Sequence, residues 1–560
     1  MMPMKKNLLL ILTALTMCVS AAGADVVERT YVSTDKGCYV AGDRIWMSAF
    51  CIDVSEGKRL SDFSGVAYVE LVGADGTVQT GKIALAGGRG AGLMEIPKTA
   101  PTGNYRLIPY TALNVNEKDF DYLCCARTIS VFNPYSTDRA SVKIVSEDEY
   151  AKSSSKQPET AGNLVLSATK SGDGIFLDIE NGGSQAASFS VSVYNDDGIL
   201  APESLTMGTF LSSLEGVEAP QYVQNRIPEY EGEIIRARIV GDFPGTDNSV
   251  FLSAPGNLVD SYSAPVTGKE EICFYTGNIF GTKEMVCEIE EMKEGMNSYV
   301  EILSPFVGPS AGTLPELKMG RFLSDAIHRR SVASQIERMF DSDTLYESLP
   351  ARVTPLLDES RVIKYRLDDY TRFPTMEEVF VEFIPDIRTR KISGQTDIQV
   401  SLQDFEIGTQ FSSGRSLMLV DGVPVMDHSK IMAYDPLLVE SINIYPNTYY
   451  VGYRSFAGVV NFVTYKRNMP SMTFDRGARI ITFHGAAVPQ AYTCSTVSGN
   501  AYPDYRQTVY WHPLVSLESG KSVKAECKLP QYSGSFKVVV EGVTASGEPV
   551  FQTLSVRTDQ

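Results

Sequence analysis

The sequence predicts a mainly β, multidomain protein that contains several β-sandwich domains, a small α+β domain and one helical segment. Short apolar or alternating runs, separated by Gly, Asn and Asp turns, recur along most of the chain. Helical periodicity is sustained in only one long region, residues 317–340. The length of 560 residues exceeds what a single core accommodates, so about three to five domains are expected.

Residues 1–24 have the features of a secretory signal peptide. Lys5 and Lys6 precede an apolar run, residues 8–19, and residues 22–24 form a small-residue cleavage site. A lipoprotein signal, with Cys18 as the lipidated residue, is the alternative. Either signal predicts an exported protein.

Residues 25–134 are predicted to form the first β-sandwich, with seven short strands at sandwich spacing. The segments TYVSTDKGCYVAGD and APTGNYRL resemble the second macroglobulin-type domain of the α2-macroglobulin superfamily. The matching positions are Thr34, Asp35, Lys36, Tyr39, Gly42, Asp43, Gly103 and Tyr105. Two departures are Ala41, where the family usually has proline, and the absence of a GCGEQ-type thioester motif from the sequence. The resemblance therefore implies the scaffold and not covalent protease trapping.

The middle of the chain is predicted to contain a linker, two further sandwiches and a helical connector. Residues 135–162 are rich in Ser, Lys, Glu and Gln and poor in apolar residues, which is typical of a linker. Strand patterns over 163–228 and 229–308 predict a second and a third sandwich, the third similar in layout to small regulatory sandwiches. Residues 309–364 are predicted to be the helical connector, and its apolar stripe is expected to pack on a neighbouring β-domain.

Residues 365–470 are predicted to form the small α+β domain. A capping box at residues 375–378 starts a helix, and the apolar runs 417–420 and 423–426 flank an Asp-Gly turn. An Asp-Pro pair then indicates a short helical turn before a last strand, residues 458–465.

This order of turn, helical turn, aromatic loop and strand resembles the plug domain of TonB-dependent outer-membrane receptors. The residues of the plug-like motif are Asp421, Gly422, Pro424, Asp435, Pro436 and Gly458. In that family the plug lies inside a large β-barrel, and too few residues follow Lys466 here for such a barrel. The alternative is an ordinary small α+β domain whose turn and strands are there to pack.

Residues 479–560 are predicted to form a C-terminal β-sandwich, in which Trp511 is expected to be a core anchor. The combination of macroglobulin-like and plug-like segments is similar to that of secreted proteins of the Bacteroidetes type. This resemblance implies an architecture and not an activity.

Charge and composition exclude several classes of function. A net charge of -18 argues against nucleic acid or an anionic membrane surface as the main partner. After the signal peptide, no apolar run is long enough to span a bilayer, so no transmembrane segment is expected. Eight of the nine cysteines lie beyond the signal peptide, and pairs such as Cys273 with Cys287 or Cys38 with Cys51 could form disulfides or remain buried thiols.

The sequence contains no recognisable catalytic or metal-binding motif. It has no G-x-S-x-G elbow and no P-loop, and its four histidines show no zinc-binding spacing. Paired carboxylates such as Asp368 and Asp369 are expected to be solvated, and a hydrolase built on them is the least supported alternative. We therefore expect no enzyme, no catalytic residue, no metal site and no cofactor.

These patterns favour an exported, non-enzymatic envelope protein, in the periplasm or associated with the outer membrane. A row of sandwiches would act as a scaffold, and the plug-like domain would dock to an outer-membrane or envelope protein. The candidate partner contacts are Tyr449, Tyr450, Tyr453, Arg454 and Phe456, since aromatic and arginine side chains dominate binding hot spots. The alternative is a thioester-less, macroglobulin-like protein that interacts with proteases after cleavage of residues 136–163.

Overall fold

A computed structural model describes residues 26–55, 57–137, 142–152, 160–218, 220–222, 228–256, 259–339, 346–350, 356–392, 394–404, 408–411, 414–474, 476–492 and 504–558. The expected signal peptide lies outside the described residues. The fold is mainly β and contains many separate sheets, which confirms the predicted class.

The strands up to the end of the third predicted sandwich are β1 Glu28–Thr34, β2 Cys38–Val40, β3 Arg44–Asp53, β4 Arg59–Leu60, β5 Val66–Gly73, β6 Gly76–Ala84, β7 Arg89–Glu95, β8 Gly103–Tyr110, β9 Arg127–Phe132, β10 Val142–Ile144, β11 Leu164–Ser171, β12 Gly174–Asn181, β13 Ala187–Asn195, β14 Ile234–Gly241, β15 Ser249–Ala254, β16 Asp260–Pro265, β17 Ile272–Tyr275, β18 Thr282–Ile289 and β19 Ser298–Ile302.

The later strands are β20 Leu317–Met319, β21 Glu347–Ser348, β22 Ile363–Arg366, β23 Ile387–Ile392, β24 Gln395–Asp404, β25 Gly408–Phe411, β26 Leu417–Val420, β27 Val423–Pro424, β28 Val439–Val451, β29 Arg454–Thr464, β30 Arg479–His484, β31 Gln490–Ala491, β32 Thr508–Leu517, β33 Ser522–Lys528, β34 Ser535–Thr544 and β35 Pro549–Arg557. The helices are α1 Ala112–Asn116, α2 Glu147–Lys152, α3 Met207–Ser213, α4 Ser324–Met339, α5 Met376–Phe383 and α6 His428–Ala433.

The chain divides into two compact units. The first unit contains the described residues of 1–231, 306–351 and 486–560, and the second contains those of 232–305 and 352–485. Each unit is therefore assembled from segments that lie far apart in the sequence.

The first sandwich of the first unit consists of strands β1 to β9. One sheet has the order β1-β3-β4, with β7 on β3, and the other has the order β2-β9-β8-β5-β6. The seven predicted strands are all present, and β2 and β4 are two short additions. Between the sheets lies a core of aliphatic side chains with Tyr39 and Tyr105. Alternating apolar residues on both sheets form this core, as in other sandwiches.

The second sandwich of the first unit combines two segments that the sequence assigns to different domains. One sheet has the order β11-β12-β33, and the other has the order β32-β13-β34-β35. The predicted sandwiches at 163–228 and 479–560 are therefore halves of one sandwich, and their separation in our prediction is wrong. Three strands from 164–195 leave their apolar faces uncovered, and the C-terminal strands bury them.

The predicted linker at 135–162 contains regular structure in its described part. Strand β10 pairs in parallel with β20, and Tyr150 of α2 packs against Phe322 at 5.2 Å between ring centroids. The predicted helix at 317–340 begins only at Ser324, because residues 317–319 form β20. Leu323 and Ala326 join a core cluster with Phe132 of the first sandwich, whereas Val332 and Met339 of the predicted apolar stripe are exposed.

The second unit contains the third sandwich and the predicted small α+β domain, which is called the plug-like domain for its sequence resemblance alone. The sandwich sheets have the orders β17-β14-β19 and β16-β15-β18-β30, so residues 479–484 belong here and not to the C-terminal sandwich. The plug-like domain has a five-stranded sheet, β22-β28-β29-β26-β27, and a smaller sheet, β23-β24-β25. Side chains of α5 and α6 cover its core.

The seven cysteines in the described part of the chain are all free thiols. Cys273 and Cys287 lie on β17 and β18, which belong to different sheets, and Cys38 and Cys51 lie on β2 and β3, which also belong to different sheets. The sulfur atoms of Cys124 and Cys125 lie 3.4 Å apart, at hydrogen-bond distance, and do not form a disulfide bond. None of the helices in the described ranges combines the length and apolarity needed to cross a membrane.

Candidate functional site

The five candidate contact residues lie together on one hairpin of the second unit, formed by β28 and β29. Val451 pairs with Arg454, so Gly452 and Tyr453 form a two-residue turn. Gly452 has a φ of 60°, and a Cβ atom there would collide with the Ser263 carbonyl oxygen of β16. Glycine at the first turn position matches a type II′ turn and permits this close approach.

Arg454 is an anchor for the hairpin. Its guanidinium lies 2.6 Å from a Glu290 carboxylate oxygen and donates a hydrogen bond to Ser249 Oγ at 2.9 Å. Arg415 approaches the same carboxylate at 3.3 Å. The Glu290 side chain is only 5% exposed. Water and salt therefore weaken this ion pair less than they weaken an ion pair on the surface. Arg454 is therefore occupied within its own unit.

Only two of the five candidates present a large exposed surface. Phe456 is buried, and Tyr449 packs edge-on against Tyr445 at 6.0 Å between ring centroids. The Tyr453 hydroxyl hydrogen-bonds with Ser249 Oγ at 2.7 Å, while 49% of the residue remains exposed. Tyr450 is 70% exposed. The hairpin therefore offers Tyr450 and the ring of Tyr453 to a partner.

The residues of the plug-like motif have structural roles. Asp421 and Gly422 form the predicted tight turn between β26 and β27, with φ values of 48° and 85°. The buried Asp421 carboxylate accepts hydrogen bonds from Thr464 N at 2.7 Å, Thr464 Oγ1 at 2.6 Å and Met469 N at 2.8 Å. It therefore ties the turn to the end of β29, which local turn chemistry alone does not predict.

The remaining motif residues also define backbone geometry. The Asp435 side chain accepts a hydrogen bond from Leu437 N at 2.9 Å and caps a 3-10 turn that begins at Pro436, as the Asp-Pro pair predicts. Pro424 pairs with Leu419 across the β26–β27 turn. Gly458 has a φ of 87°, and a Cβ atom there would lie 2.5 Å from Val400 Cβ.

The first unit contains a cleft that the sequence analysis does not predict. It lies where the turn between β2 and β3, strand β3, helix α4 and the start of β32 converge, and its volume is about 180 Å³. The macroglobulin-like motif TDKGCYVAGD supplies its floor through Lys36, Gly42 and Asp43. The TDKGCYVAGD motif is the sequence signal that could have located this cleft. The contribution of α4 depends on tertiary packing and could not be predicted from the sequence.

Asp35 holds the floor of the cleft together. Its carboxylate accepts hydrogen bonds from Tyr39 OH at 2.7 Å, Thr508 Oγ1 at 2.6 Å and Lys36 Nζ at 2.8 Å. Trp46 N donates to the same carboxylate at 3.2 Å. Asp35 therefore fixes β3 and β32 to the motif, and the matching Asp, Lys and Tyr have structural roles here.

One wall of the cleft is aromatic. The rings of Trp46 and Tyr346 lie 4.8 Å apart, and those of Tyr346 and Tyr492 lie 5.1 Å apart, measured between centroids. Trp46 and Tyr492 are buried, while Tyr346 is partly exposed. The guanidinium of Arg44 lies 5.4 Å from the centroid of the Tyr346 ring, which shows that the wall accepts a cation over its face.

The opposite wall is helix α4, which carries charged side chains into the cleft. Arg330 is neutralised by a two-point ion pair with Asp197, at 2.6 and 2.7 Å. The guanidinium of Arg338 lies against Gly42, whose missing side chain leaves the space for it. Glu337 has no hydrogen bond or ion pair among the residues that the structure describes. Burial, with a smaller contribution from the Asp43 carboxylate, raises the pKa of Glu337 to about 7.

Within the described ranges, no three His, Cys, Asp or Glu side chains converge as a metal site would require. His428 is buried and accepts a hydrogen bond from Ile398 N at Nδ1, at 2.9 Å. His484 Nδ1 lies 3.1 Å from Thr282 Oγ1 in a cross-strand pair. Both contacts join neighbouring segments of the second unit, so these two histidines have structural roles.

No protein-family model and no curated protein matches the sequence. Solved structures with some similarity include Escherichia coli α2-macroglobulin activated by porcine elastase, with 9% identity and a TM-score of 0.24 over 95% of this chain and 44% of that chain. Salmonella α2-macroglobulin reacted with methylamine shows 10% identity and a TM-score of 0.24 over 96% of this chain and 40% of that chain. The Escherichia coli adhesin FdeC shows 11% identity and a TM-score of 0.14 over 49% and 64% of the two chains.

The chain spans less than half the length of either macroglobulin. At these identities and TM-scores, the similarities assign neither a family nor an activity to the protein.

Proposed function

We propose that the protein is an exported, non-enzymatic scaffold of the cell envelope that binds an outer-membrane β-barrel protein through the tip of the β28–β29 hairpin. The observation that carries this proposal is Tyr450, a large aromatic side chain that is 70% exposed beside a rigidly held turn. The predicted signal peptide supports export, and the plug-like motif supports the class of partner.

The hairpin is suited to binding because its conformation is fixed before a partner arrives. Gly452 fits closely against β16, and the Arg454–Glu290 pair holds the adjacent strand. A surface that is already ordered loses less conformational entropy on association than a mobile loop does. Tyrosine contributes a large contact area with few rotatable bonds, and it is enriched in binding hot spots. Tyr450 and Tyr453 together form the contact that we propose.

The absence of enzymatic activity is part of the same proposal. Several acidic groups of the first unit are engaged in structural contacts, as in the Arg330–Asp197 and Arg506–Asp504 pairs. Glu337 has no such partner, but it also makes no hydrogen bond to a nucleophile among the described residues. Asp421 in the second unit accepts three hydrogen bonds from its own domain. A general base needs a nucleophile or a substrate proton within hydrogen-bond reach, and these carboxylates are already saturated.

The test is capture of the tagged full-length protein from its native envelope after mild cross-linking, with identification by mass spectrometry. The variants are Tyr450→Ala and, as a matched control, Tyr275→Ala. Tyr275 is also a strand tyrosine of the second unit, and it is 59% exposed. We expect a β-barrel protein to be recovered with the wild type and with Tyr275→Ala, and to be lost with Tyr450→Ala.

Recovery of the same barrel protein with folded Tyr450→Ala would overturn the hairpin as the docking site. Retained proteases in place of a barrel protein would favour the macroglobulin-like alternative. For that alternative we expect one cut between Ser136 and Asn163, where the described residues include β10, paired with β20, and α2 with its buried Tyr150.

A further inference from the structure

We propose that the cleft in the first unit binds an alkylammonium group, supplied either by a free primary amine or by a lysine side chain of a peptide. The cleft brings Glu337, whose carboxylate is unpaired within the described ranges, together with an aromatic wall that contains Trp46 and Tyr346. This proposal is independent of the hairpin, which belongs to the other unit.

The charges in the cleft leave an unsatisfied carboxylate. Lys36 is paired with Asp35 at 2.8 Å, and Arg330 is paired with Asp197. The other charged lining residues are the cations Arg44 and Arg338 and the carboxylates Asp43, Glu95 and Glu337, which leaves one negative charge in excess. Among the described residues, the carboxylate of Glu337 has no ion-pair or hydrogen-bond partner, and it faces the Asp43 carboxylate, which increases its electrostatic cost. A cation bound beside Glu337 would therefore be stabilised, because it would neutralise a half-buried carboxylate that has no other partner among the described residues.

The aromatic wall favours an organic cation over a simple ion. Ring faces attract cations electrostatically and also provide apolar contact for an alkyl stem. The position of Arg44 over Tyr346 shows this preference within the protein itself. A metal ion would instead need several oxygen ligands, and no such group is formed within the described ranges.

The size of the cleft also limits the ligand. Its volume of about 180 Å³ lies below the roughly 300–1,000 Å³ of pockets that hold drug-sized molecules. It matches a group about as large as one side chain. An ammonium group on a short alkyl stem meets both the size and the charge requirement.

The tryptophan residues of the protein provide a fluorescence signal for this site. It contains two tryptophans, Trp46 and Trp511, and both belong to the aromatic cluster that includes Tyr492. Intrinsic tryptophan fluorescence therefore reports on the cleft and not on the second unit. A ligand that enters beside Trp46 is expected to change the emission in a saturable way.

The experiment is a fluorescence titration of the full-length protein at pH 8 and constant ionic strength. The probes are n-butylamine, which is protonated at this pH, and a doubly blocked tripeptide with a central lysine. Their neutral counterparts are 1-butanol and the same tripeptide with norleucine. We expect saturable binding of at least one cationic probe and none of its neutral counterpart.

Glu337→Gln keeps the shape of the side chain and removes its charge, and we expect it to weaken binding of the cationic probe by about tenfold or more. Asp325→Asn is the control, because Asp325 is an exposed residue in the first turn of the same helix, α4. It should leave the affinity unchanged.

The outcomes separate the two sources of the ligand. Binding of both cationic probes shows that the ammonium group suffices, and binding of the lysine tripeptide alone shows that flanking peptide is also recognised. Failure of both probes to bind, equal binding of the neutral counterparts, or unchanged affinity in folded Glu337→Gln would each overturn the proposal. None of these results depends on the hairpin or on its partner.

Discussion

Among the described residues, Glu337 differs from other acidic side chains of the first unit, such as Asp35 and Glu541, in having no hydrogen-bond or ion-pair partner. Asp35 accepts four hydrogen bonds, and Glu541 accepts from Tyr31 OH at 2.6 Å and from Met207 N at 3.0 Å. Partners of this kind compensate a carboxylate for the loss of water. Glu337 lacks this compensation, so its neutral form is favoured in the folded state.

This difference predicts a pH dependence of stability. The folded-state pKa of Glu337 lies near 7, above its ordinary value of 4.5, so the folded state binds the proton more tightly than the unfolded state does. The stabilising contribution is complete below about pH 4.5 and is lost as the pH rises through 7. Between pH 5 and pH 8, the free energy of unfolding should fall by about 2 kcal/mol more in the wild type than in Glu337→Gln.

The measurement is denaturant unfolding followed by tryptophan fluorescence, which reports on the first unit. The comparison with Glu337→Gln separates the titration of Glu337 from that of the charged groups around it. These groups are Lys36, Asp43, Asp504 and Arg506, with Arg338 in the same cleft lining. Equal pH slopes in the two proteins would contradict the raised pKa of Glu337.

Cys124 provides a second prediction for a single residue. Its thiol is half-buried, and the neighbouring Cys125 thiol, 3.4 Å away, lowers the pKa of Cys124 by hydrogen bonding. Burial raises the pKa of Cys273, the other half-buried thiol. Because the thiolate is the reactive form, iodoacetamide at pH 7.5 should alkylate Cys124 before the other six described cysteines. Peptide mapping by mass spectrometry measures the order, and earlier labelling of Cys273 would contradict it.

At the scale of single elements, strand β29 shows how one glycine determines packing. Gly458 lies at a φ of 87°, and its hydrogen faces Val400 of β24. Alanine at this position would have a strained backbone and would collide with Val400. We expect Gly458→Ala to destabilise the plug-like domain by about 3 kcal/mol.

Hydrogen exchange of the β28 and β29 amides, followed by mass spectrometry, measures this effect directly. Gly268→Ala is the matched control, since Gly268 lies in the same unit, has no atom near its added Cβ and does not have a positive φ. Unchanged protection in Gly458→Ala would show that β24 can move away without cost.

The first residues of the helices show which local sequence signals are sufficient to predict where a helix begins. Helix α5 begins at Met376 after the predicted capping box of Thr375 and Glu378, because both partners of the box lie within one turn. Helix α4 begins at Ser324, seven residues after the predicted start. Leu317 fits the helical stripe but instead pairs with Val142 in β20. The strand partner lies far away in the sequence, so periodicity could not identify it.

At the scale of the whole molecule, the second sandwich depends on strands from two distant parts of the chain, residues 164–195 and 508–557. Strand β13 pairs with β32 on one side and with β34 on the other, and β12 pairs with β33. Four of the seven strands of this sandwich therefore lie beyond residue 485.

A chain that ends at Gly485 should lose this sandwich and keep the second unit, which contains no residue beyond that point. Strands β11 to β13 would expose their apolar faces and unpaired edges, since three strands alone do not form a closed core. We expect their amides to exchange within seconds, while those of β28 and β29 remain protected. Protection of β11 to β13 in the shortened chain would contradict this dependence.

The sequence by itself determined the features that depend on residues close together in the chain. These include the mainly β class, the strands of the first sandwich, the turn at Asp421 and Gly422 and the cap at Asp435. Turn and cap chemistry acts over two to four residues, so its pattern is visible in the sequence. Only the tertiary structure decided that β13 lies between β32 and β34, that Arg454 pairs with Glu290, and that Glu337 and Trp46 line the same cleft. An alternating strand shows which face is buried but not which strand covers it, and the environment of a charged side chain is set by segments distant in the chain.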